Sequence, residues 1–445
     1  MEKEKIISII REAGIIGAGG AGFPTNVKVN AKVDTVIING AECEPLLYKD
    51  KEIMRLYPEE MVSGLKIVMD ITGAGTGIIA LKSKNKEAIP KLKDICKKYK
   101  GVRVEVIDDV YPSGDEVVLV YEVTKRIVPP ASIPLSVGCV VSNSETFLNI
   151  YYAVKNNQPV IEKYLTITGE VKHPVTIKVP VGISIKNILQ YAGGVTVKEP
   201  AFIDGGPMMG KVIFDENSAV TKTSAGYIVL SKDHPLIIRK TLPPESAQRI
   251  GKSACDQCSY CTEFCPRYLL GHDVRPHMVM RSLGLTGKQY KAVSNWSLVC
   301  VECKLCTFFS CPEMLYPGES CGISKRELAK EGVKYVMPKD KVLKAHPMRE
   351  FRKLPTKRLV ERLTLTQYDK AAHYENFEIK PKEVTIMLNQ HIGAPCSAIV
   401  KHGDAVKRGQ TIGRTAEGKM GASAHSSIDG KISEITNTYI KIKKS

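Results

Sequence analysis

Two short runs of cysteine constrain this chain more than any other feature. The first reads CDQCSYCTEFCP and sets Cys255, Cys258, Cys261 and Cys265 ahead of Pro266. The second reads CVECKLCTFFSCP and sets Cys300, Cys303, Cys306 and Cys311 ahead of Pro312. The first is C-x2-C-x2-C-x3-C-P; the second differs only in having four residues before its last cysteine. Three thiolates two residues apart wrap one iron–sulfur cube on a tight loop, and the fourth ligand must come from elsewhere. In modules of this kind the fourth cysteine ligates the other cluster. That assigns Cys255, Cys258, Cys261 and Cys311 to one [4Fe–4S] cluster, and Cys300, Cys303, Cys306 and Cys265 to the other. Paired C-x2-C motifs also build zinc sites, but zinc asks for four ligands in two pairs, not three in a row followed by Cys-Pro, twice over.

These runs hold eight of the 13 cysteines, a metal-ligand spacing in a reducing compartment rather than a disulfide framework. Cys43, Cys96, Cys139, Cys321 and Cys396 remain, each expected as a small buried residue. The segment between the runs has helical apolar spacing, so the module is predicted to be α-helical. His272 and His277 lie there and are expected as packing or surface residues, because the ligand count is already met. No apolar run reaches the ~18 residues of a membrane span. The opening MEKEKIISIIREAG has helical period, with Ile6, Ile7, Ile9, Ile10 and Ala13 on one side. It lacks the apolar core and cleavage site of a signal peptide, so a cytoplasmic location is expected.

The net charge of +17 raises nucleic acid as a partner. Aromatics are only 6%, and no helix-turn-helix, zinc-finger or RNA-binding signature is present, so no nucleic acid partner is expected. The basic residues concentrate in 341–362, with eight Lys/Arg against two acids, predicted to be a solvated linker or helix face. Asp108 and Asp109 are likewise expected in a solvated loop.

Residues 17–28, GAGGAGFPTNVK, set Gly17, Gly19 and Gly22 in the G-x-G-x-x-G pattern of a dinucleotide turn. That turn needs a strand before it and a helix after it. Here the preceding segment has helical period, and Pro24 leaves little room for a crossover helix before DTVIING. A loop this rich in glycine still lets backbone N–H groups approach a flat ring or a phosphate. Two clusters carry single electrons, and flavin is the group that takes a hydride and releases electrons singly.

Together with NGAECEPLLYKD (39–50), YPSGDE (111–116) and VSNSET (141–146), the glycine string resembles a family of flavin and iron–sulfur proteins. That family includes the NADH- and FMN-binding flavin protein of respiratory complex I, the RnfC component of Rnf-type ferredoxin:NAD oxidoreductases and the cobalamin reductases of propanediol utilisation. The resemblance implies that Gly17, Gly19, Gly20, Gly22 and Lys28 hold FMN, with Asn39 and Glu42 at a strand end. It implies Tyr111, Gly114, Asp115 and Asn143 near the flavin, and Phe23, Glu44 and Glu116 toward NADH. Ala18, Asn26, Ala41 and Ser142 depart from the complex I pattern, which has arginine, glycine, aspartate and asparagine there.

Residues 161–232 read as short strands around a helix and resemble the soluble-ligand-binding β-grasp domain of the same family; GGPMMG, with Gly205, Gly206, Met208 and Met209, is expected as a turn with packing methionines. The segment 395–435 resembles a biotinyl/lipoyl-like half-motif, with Gly403 and Gly409 at turns; Lys419 precedes Met420 and is not expected to be modified. The implied architecture is multidomain α/β: a Rossmann-like NADH/FMN-binding domain (1–157), a β-grasp domain (158–240), an α-helical two-cluster ferredoxin-type module (241–335), a basic linker with helices (336–380) and a barrel-sandwich hybrid, lipoyl-like domain (381–445). A C-terminal barrel is the order of the cobalamin reductases. The implied function is electron transfer from NADH through FMN and two [4Fe–4S] clusters to cobalamin or a corrinoid-handling protein. A bacterial microcompartment, with its enzymes or shell proteins as partners, is the implied setting. The alternative is the electron-entry component of an Rnf-type complex.

Overall fold

The strand Thr35–Gly40, TVIING, is buried along all six residues, as a parallel strand covered on both faces must be. It is an inner strand of a four-stranded parallel sheet in the order Val102–Ile107, Thr76–Lys82, Thr35–Gly40, Cys139–Asn143. Pro58–Thr72 and Ser144–Asn156 pack on one face, and Glu116–Thr124 on the other. The computed structural model describes residues 2–444, and this Rossmann-like layer opens it. The glycine string is not the first turn of the sheet: its glycines lie between the helices Lys3–Glu12 and Thr25–Val29, its last four residues begin the second of these, and both precede any strand. Ile6, Ile10 and Ala13 of the N-terminal segment face the core, as its period predicts.

A second sheet has the order Val175–Pro180, Glu162–Gly169, Gly226–Ser231, Pro200–Asp204, Lys211–Ile213, with the helix Ile185–Leu189 against it. This is the β-grasp domain. The cysteine module is built from the helices Pro244–Ala254, Tyr260–Glu263, Pro276–Ser282, Gly287–Ser294 and Pro317–Lys330. The C-terminal barrel-sandwich closes two small antiparallel sheets over a core that includes Val384, Ile386, Ile412, Ile432 and Ile442, and Val181 of the β-grasp domain packs into it.

The basic segment is a solvated helix face over Thr356–Arg362, where Lys357, Arg358 and Arg362 are exposed, but not a solvated linker over 349–355. Arg349 is 5% exposed, bonded to Glu122 and Glu350; Arg352 pairs with Glu263 at 2.8 Å and Lys353 with Asp108 at 3.0 Å. Leu354–Pro355 then pairs with Val110–Tyr111 as a two-residue ladder. The segment is a strap from the cysteine module onto the N-terminal domain, and these cations are matched one by one. Asp109 is also no solvated-loop residue, because it pairs with the buried Lys82 at 2.7 Å and accepts from Thr356 at 2.9 Å.

The helices of the N-terminal layer come into close contact at Gly64, where a Cβ would fall far inside van der Waals contact of the Phe147 carbonyl. Gly64→Val is therefore expected to cost about 1–3 kcal/mol by overpacking, read as an earlier denaturant midpoint in the transition of the N-terminal domain.

Candidate flavin and iron–sulfur site

The glycine loop is closed by backbone bonds: Gly17 N–H donates to the Phe23 carbonyl at 2.9 Å and Thr25 N–H to the Ile15 carbonyl at 3.1 Å. Gly20 and Gly22 hold φ of 103° and 66°, where a side chain is strained. The peptide groups of Ala18 are fixed on both sides. Its N–H donates to Thr146 Oγ1 at 3.1 Å, and its carbonyl accepts from Lys49 Nζ at 3.2 Å. A side chain at position 19 would run into the Asn143 amide, whereas position 20 faces open space.

Two buried oxygens beside the loop, Asn26 Oδ1 and Ser144 Oγ, have no hydrogen-bond partner within the chain. That is costly for a polar atom unless a ligand completes it. Asn143 precedes the 13-residue helix Ser144–Asn156 and gives it no side-chain cap, so the helix N-terminus suits an anion. An open glycine backbone, orphan oxygens and a helix N-terminus fit a flavin ring and its phosphate.

The remaining expected residues divide. Asn39 joins the site: its amide donates to the Gly114 carbonyl at 2.8 Å and accepts from Ala41 N–H at 3.2 Å, tying the strand end to the YPSGDE turn. Asp115 caps the helix Glu116–Thr124 with one oxygen and accepts from Arg267 at 2.8 Å with the other. Lys28 does not offer an unmatched charge, because it pairs with Glu116 at 2.8 Å, donates to the Val141 carbonyl at 2.8 Å and lies 5.8 Å from the Phe23 ring centroid. Phe23, Lys28 and Glu116 thus form one group. Glu42 accepts from the N–H groups of Asp50 and Lys51 at the start of the helix Lys49–Leu56, and burial, then the nearby Asp50 charge, push its carboxyl up to about 7. Glu44 turns away from the glycine loop toward the β-grasp domain. It accepts from Met208 and Met209 N–H at 2.9 and 3.0 Å, so GGPMMG is a turn that receives a carboxylate of this chain. Met208 is packed and Met209 is exposed.

A buried network beneath the loop was not legible in the sequence. Glu145 accepts from Lys49 at 3.0 Å, from Lys163 of the β-grasp domain and from Tyr164 N–H. Burial opposes its charge, but Lys163 and Lys49 outweigh burial and hold the carboxyl below its usual range.

The fold brings the two cysteine runs together. A cavity is lined by Cys265, Cys300, Cys303 and Cys306. Burial, then the charges of Cys255, Cys311 and Cys258, push the Cys261 thiol up, which puts Cys311 beside the first run. Burial pushes Cys265 up to about 12, and Cys303 and Cys306 well above their usual value. Such a donor set holds its charge only against a strong cation, and iron supplies it. Cys96, Cys139, Cys321 and Cys396 are buried, and Cys43 is half-buried. Cys321 is fully buried in an apolar cluster with Val274, Val279, Val299 and Cys300. His272 meets the Val128 carbonyl, and His277 meets Thr262. The second run abuts the flavin domain, with Tyr111 Oη donating to the Cys303 carbonyl at 2.7 Å.

The fold and these residues define an oxidoreductase that uses FMN and iron–sulfur clusters. The Nuo51 FMN-binding domain matches residues 10–152, the SLBB domain 164–212, the 4Fe-4S dicluster domain 254–316 and the RnfC barrel sandwich hybrid domain 368–445. The chain is 40% identical over 436 residues to cobalamin reductase PduS of Citrobacter freundii, covering 97% of this chain and 95% of that one. It is 39% identical to the Salmonella typhimurium protein of the same name, covering 99% and 97%. It belongs to the PduS cobalamin reductase family. The RnfC-type component of the Na(+)-translocating ferredoxin:NAD(+) oxidoreductase complex of Acetobacterium woodii is 34% identical, over 60% of this chain and 59% of that one. A chain of the NAD+-reducing [NiFe]-hydrogenase in the H2-reduced state has a similar fold at TM-score 0.50 and 18% identity, over 74% of this chain and 61% of that one.

Gly19→Val is expected to abolish FMN binding while iron content stays unchanged, measured by flavin fluorescence and iron analysis on the same preparation. Cys258→Ser, at the exposed cysteine of the first run, should remove about half the iron and leave FMN bound.

Proposed function

We propose that this protein oxidises NADH and reduces a corrinoid, Co(III) to Co(II), with FMN held on the 17–28 loop. FMN, when bound, turns the two-electron chemistry of the nicotinamide into single electrons that the clusters can carry. The observation that carries this reading is the junction of the loop domain with the two cysteine runs. Tyr111 bonds the Cys303 backbone and Asp115 bonds Arg267, two residues past Cys265. Both the flavin-side turn and a cluster loop are thereby held rigid across one interface. The names of the two full-length relatives support the corrinoid as acceptor.

In this reading Gly17, Gly19, Gly20, Gly22, Asn39, Gly114 and Asn143 seat the flavin, and Asp115 and Tyr111 fix its distance from the cluster held by Cys265, Cys300, Cys303 and Cys306. Phe23, with Glu116 and Lys28, borders the nicotinamide approach, and Glu44 sets the β-grasp turn against that approach. Of the other four cysteines, Cys258 is exposed and Cys255 half-buried, and an acceptor is met on that side. No helix is long and apolar enough to cross a membrane among the described residues. The family resemblance supports a setting in the cytoplasm or a microcompartment lumen. The five stretches named from the sequence are retained as its domains.

Anaerobic NADH oxidation with cob(III)alamin, ferredoxin and quinone as competing acceptors tests the reading. Cob(III)alamin is expected to be reduced fastest. Preference for ferredoxin, with co-fractionation on membranes, would replace it with the Rnf-type role.

A further inference from the structure

The C-terminal barrel and the β-grasp domain meet the flavin loop on both sides. Ile392 N–H donates to the Gly22 carbonyl at 3.1 Å, and a Cβ on Gly22 would lie 3.0 Å from the Gln390 carbonyl oxygen and 2.9 Å from Thr223 Cγ2. Gln390 is itself 7% exposed. Its amide oxygen accepts from Lys222 N–H at 2.8 Å, and its NH2 donates to the Met387 carbonyl at 2.8 Å. Lys222 belongs to the β-grasp domain and is 5% exposed. Its ammonium donates to the Gly14 carbonyl at 2.9 Å and to the Ser423 carbonyl of the barrel at 2.8 Å. It makes no salt bridge with any acid of the described residues, and burial pulls its amine down to about 8.

A buried lysine without a carboxylate is an expensive way to join two carbonyls, and packing alone would be served better by an apolar residue. Its placement explains it. Gly14 lies just ahead of the loop, and Gly22 is the last of the loop's glycines. Lys222 holds the first, and the Gln390–Ile392 segment that Lys222 anchors holds the second. Between those points the loop is open at Gly20.

We propose that Lys222 and Gln390 are positioning residues that clamp the flavin loop, and that the barrel-sandwich domain works here as a fixed brace for the cofactor. This rests on the reading that the 17–28 loop holds FMN. A preordered loop loses less conformational entropy on binding, so the clamp shows itself in affinity rather than in occupancy at saturation.

The test uses the full chain with its clusters. Lys222→Met keeps the length and the backbone N–H to Gln390 but loses the ammonium donors; Gln390→Ala loses both of its side-chain bonds. Each is expected to raise the FMN dissociation constant about tenfold or more, by fluorescence titration, with iron content unchanged and full occupancy restored at saturating FMN. The double variant should lose about the product of the two, because the Lys222 ammonium holds Gly14 and Ser423 while Gln390 takes the Lys222 backbone N–H, which Lys222→Met retains. FMN affinity within about twofold of the parent for both variants would overturn the clamp. So would loss of iron together with FMN, which marks a general folding defect. Gly19→Val separates the two readings: if it binds FMN normally the loop assignment fails, and if it loses FMN while Lys222→Met and Gln390→Ala retain it, the clamp alone fails.

Discussion

The carboxylate of Glu145 is the contact on which the flavin side of the molecule depends. It is 1% exposed and receives Lys49, Lys163 and the Tyr164 N–H at once. Taking two ammonium groups and an acid out of water costs several kcal/mol per ion, and only near-complete pairing offsets that. The geometry supplies it, with Asp50 3.5 Å from Lys49 as a further acid. Glu145 stands in the first turn of the helix that follows the sheet, Lys163 on the first strand of the β-grasp domain, and Lys49 reaches the Ala18 carbonyl. One buried carboxylate therefore fixes the sheet edge, the neighbouring domain and the glycine loop relative to one another.

The rest of the chain repeats this construction at other junctions. Asp115 divides its two oxygens between a helix start and Arg267 of the cysteine module. Glu44 divides its own between two amides of the GGPMMG turn. Arg349 is shared between Glu122 and Glu350. In each case a polar group on one domain is completed by a group from another, and neither half is satisfied alone. An electron-transfer protein has a reason to be built so, because its cofactor sites must keep fixed separations across domain boundaries that would otherwise flex.

What was legible in the sequence was local. The cysteine runs, the helical filling between them, the failed strand–turn–helix context of the glycine string and the strand pattern of residues 161–232 all rest on neighbours a few residues apart. What was not legible rests on pairs far apart in the chain. Lys49 and Glu145 are separated by 96 residues, and Lys222 and Gln390 by 168. Local polarity does not distinguish a lysine at a solvated face from one that meets its acid across a domain boundary. The same limit explains the strap: Arg349, Arg352 and Lys353 look solvated until the acids of other segments, Glu122, Glu263 and Asp108, are brought beside them.

The large positive charge is therefore partly an internal quantity. Lys49, Lys82, Lys163 and Lys222 are each 5% exposed or less, and Arg349 is held the same way. Four of these five meet acids, so they contribute to the fold and little to the field outside it. Lys222 is the exception, bonded to carbonyls at a junction of three domains. A cation left without an acid in the interior is disfavoured by desolvation unless its position does something an apolar side chain could not. Here it braces both sides of a loop whose middle is all glycine and alanine and has no long side chain of its own to pack.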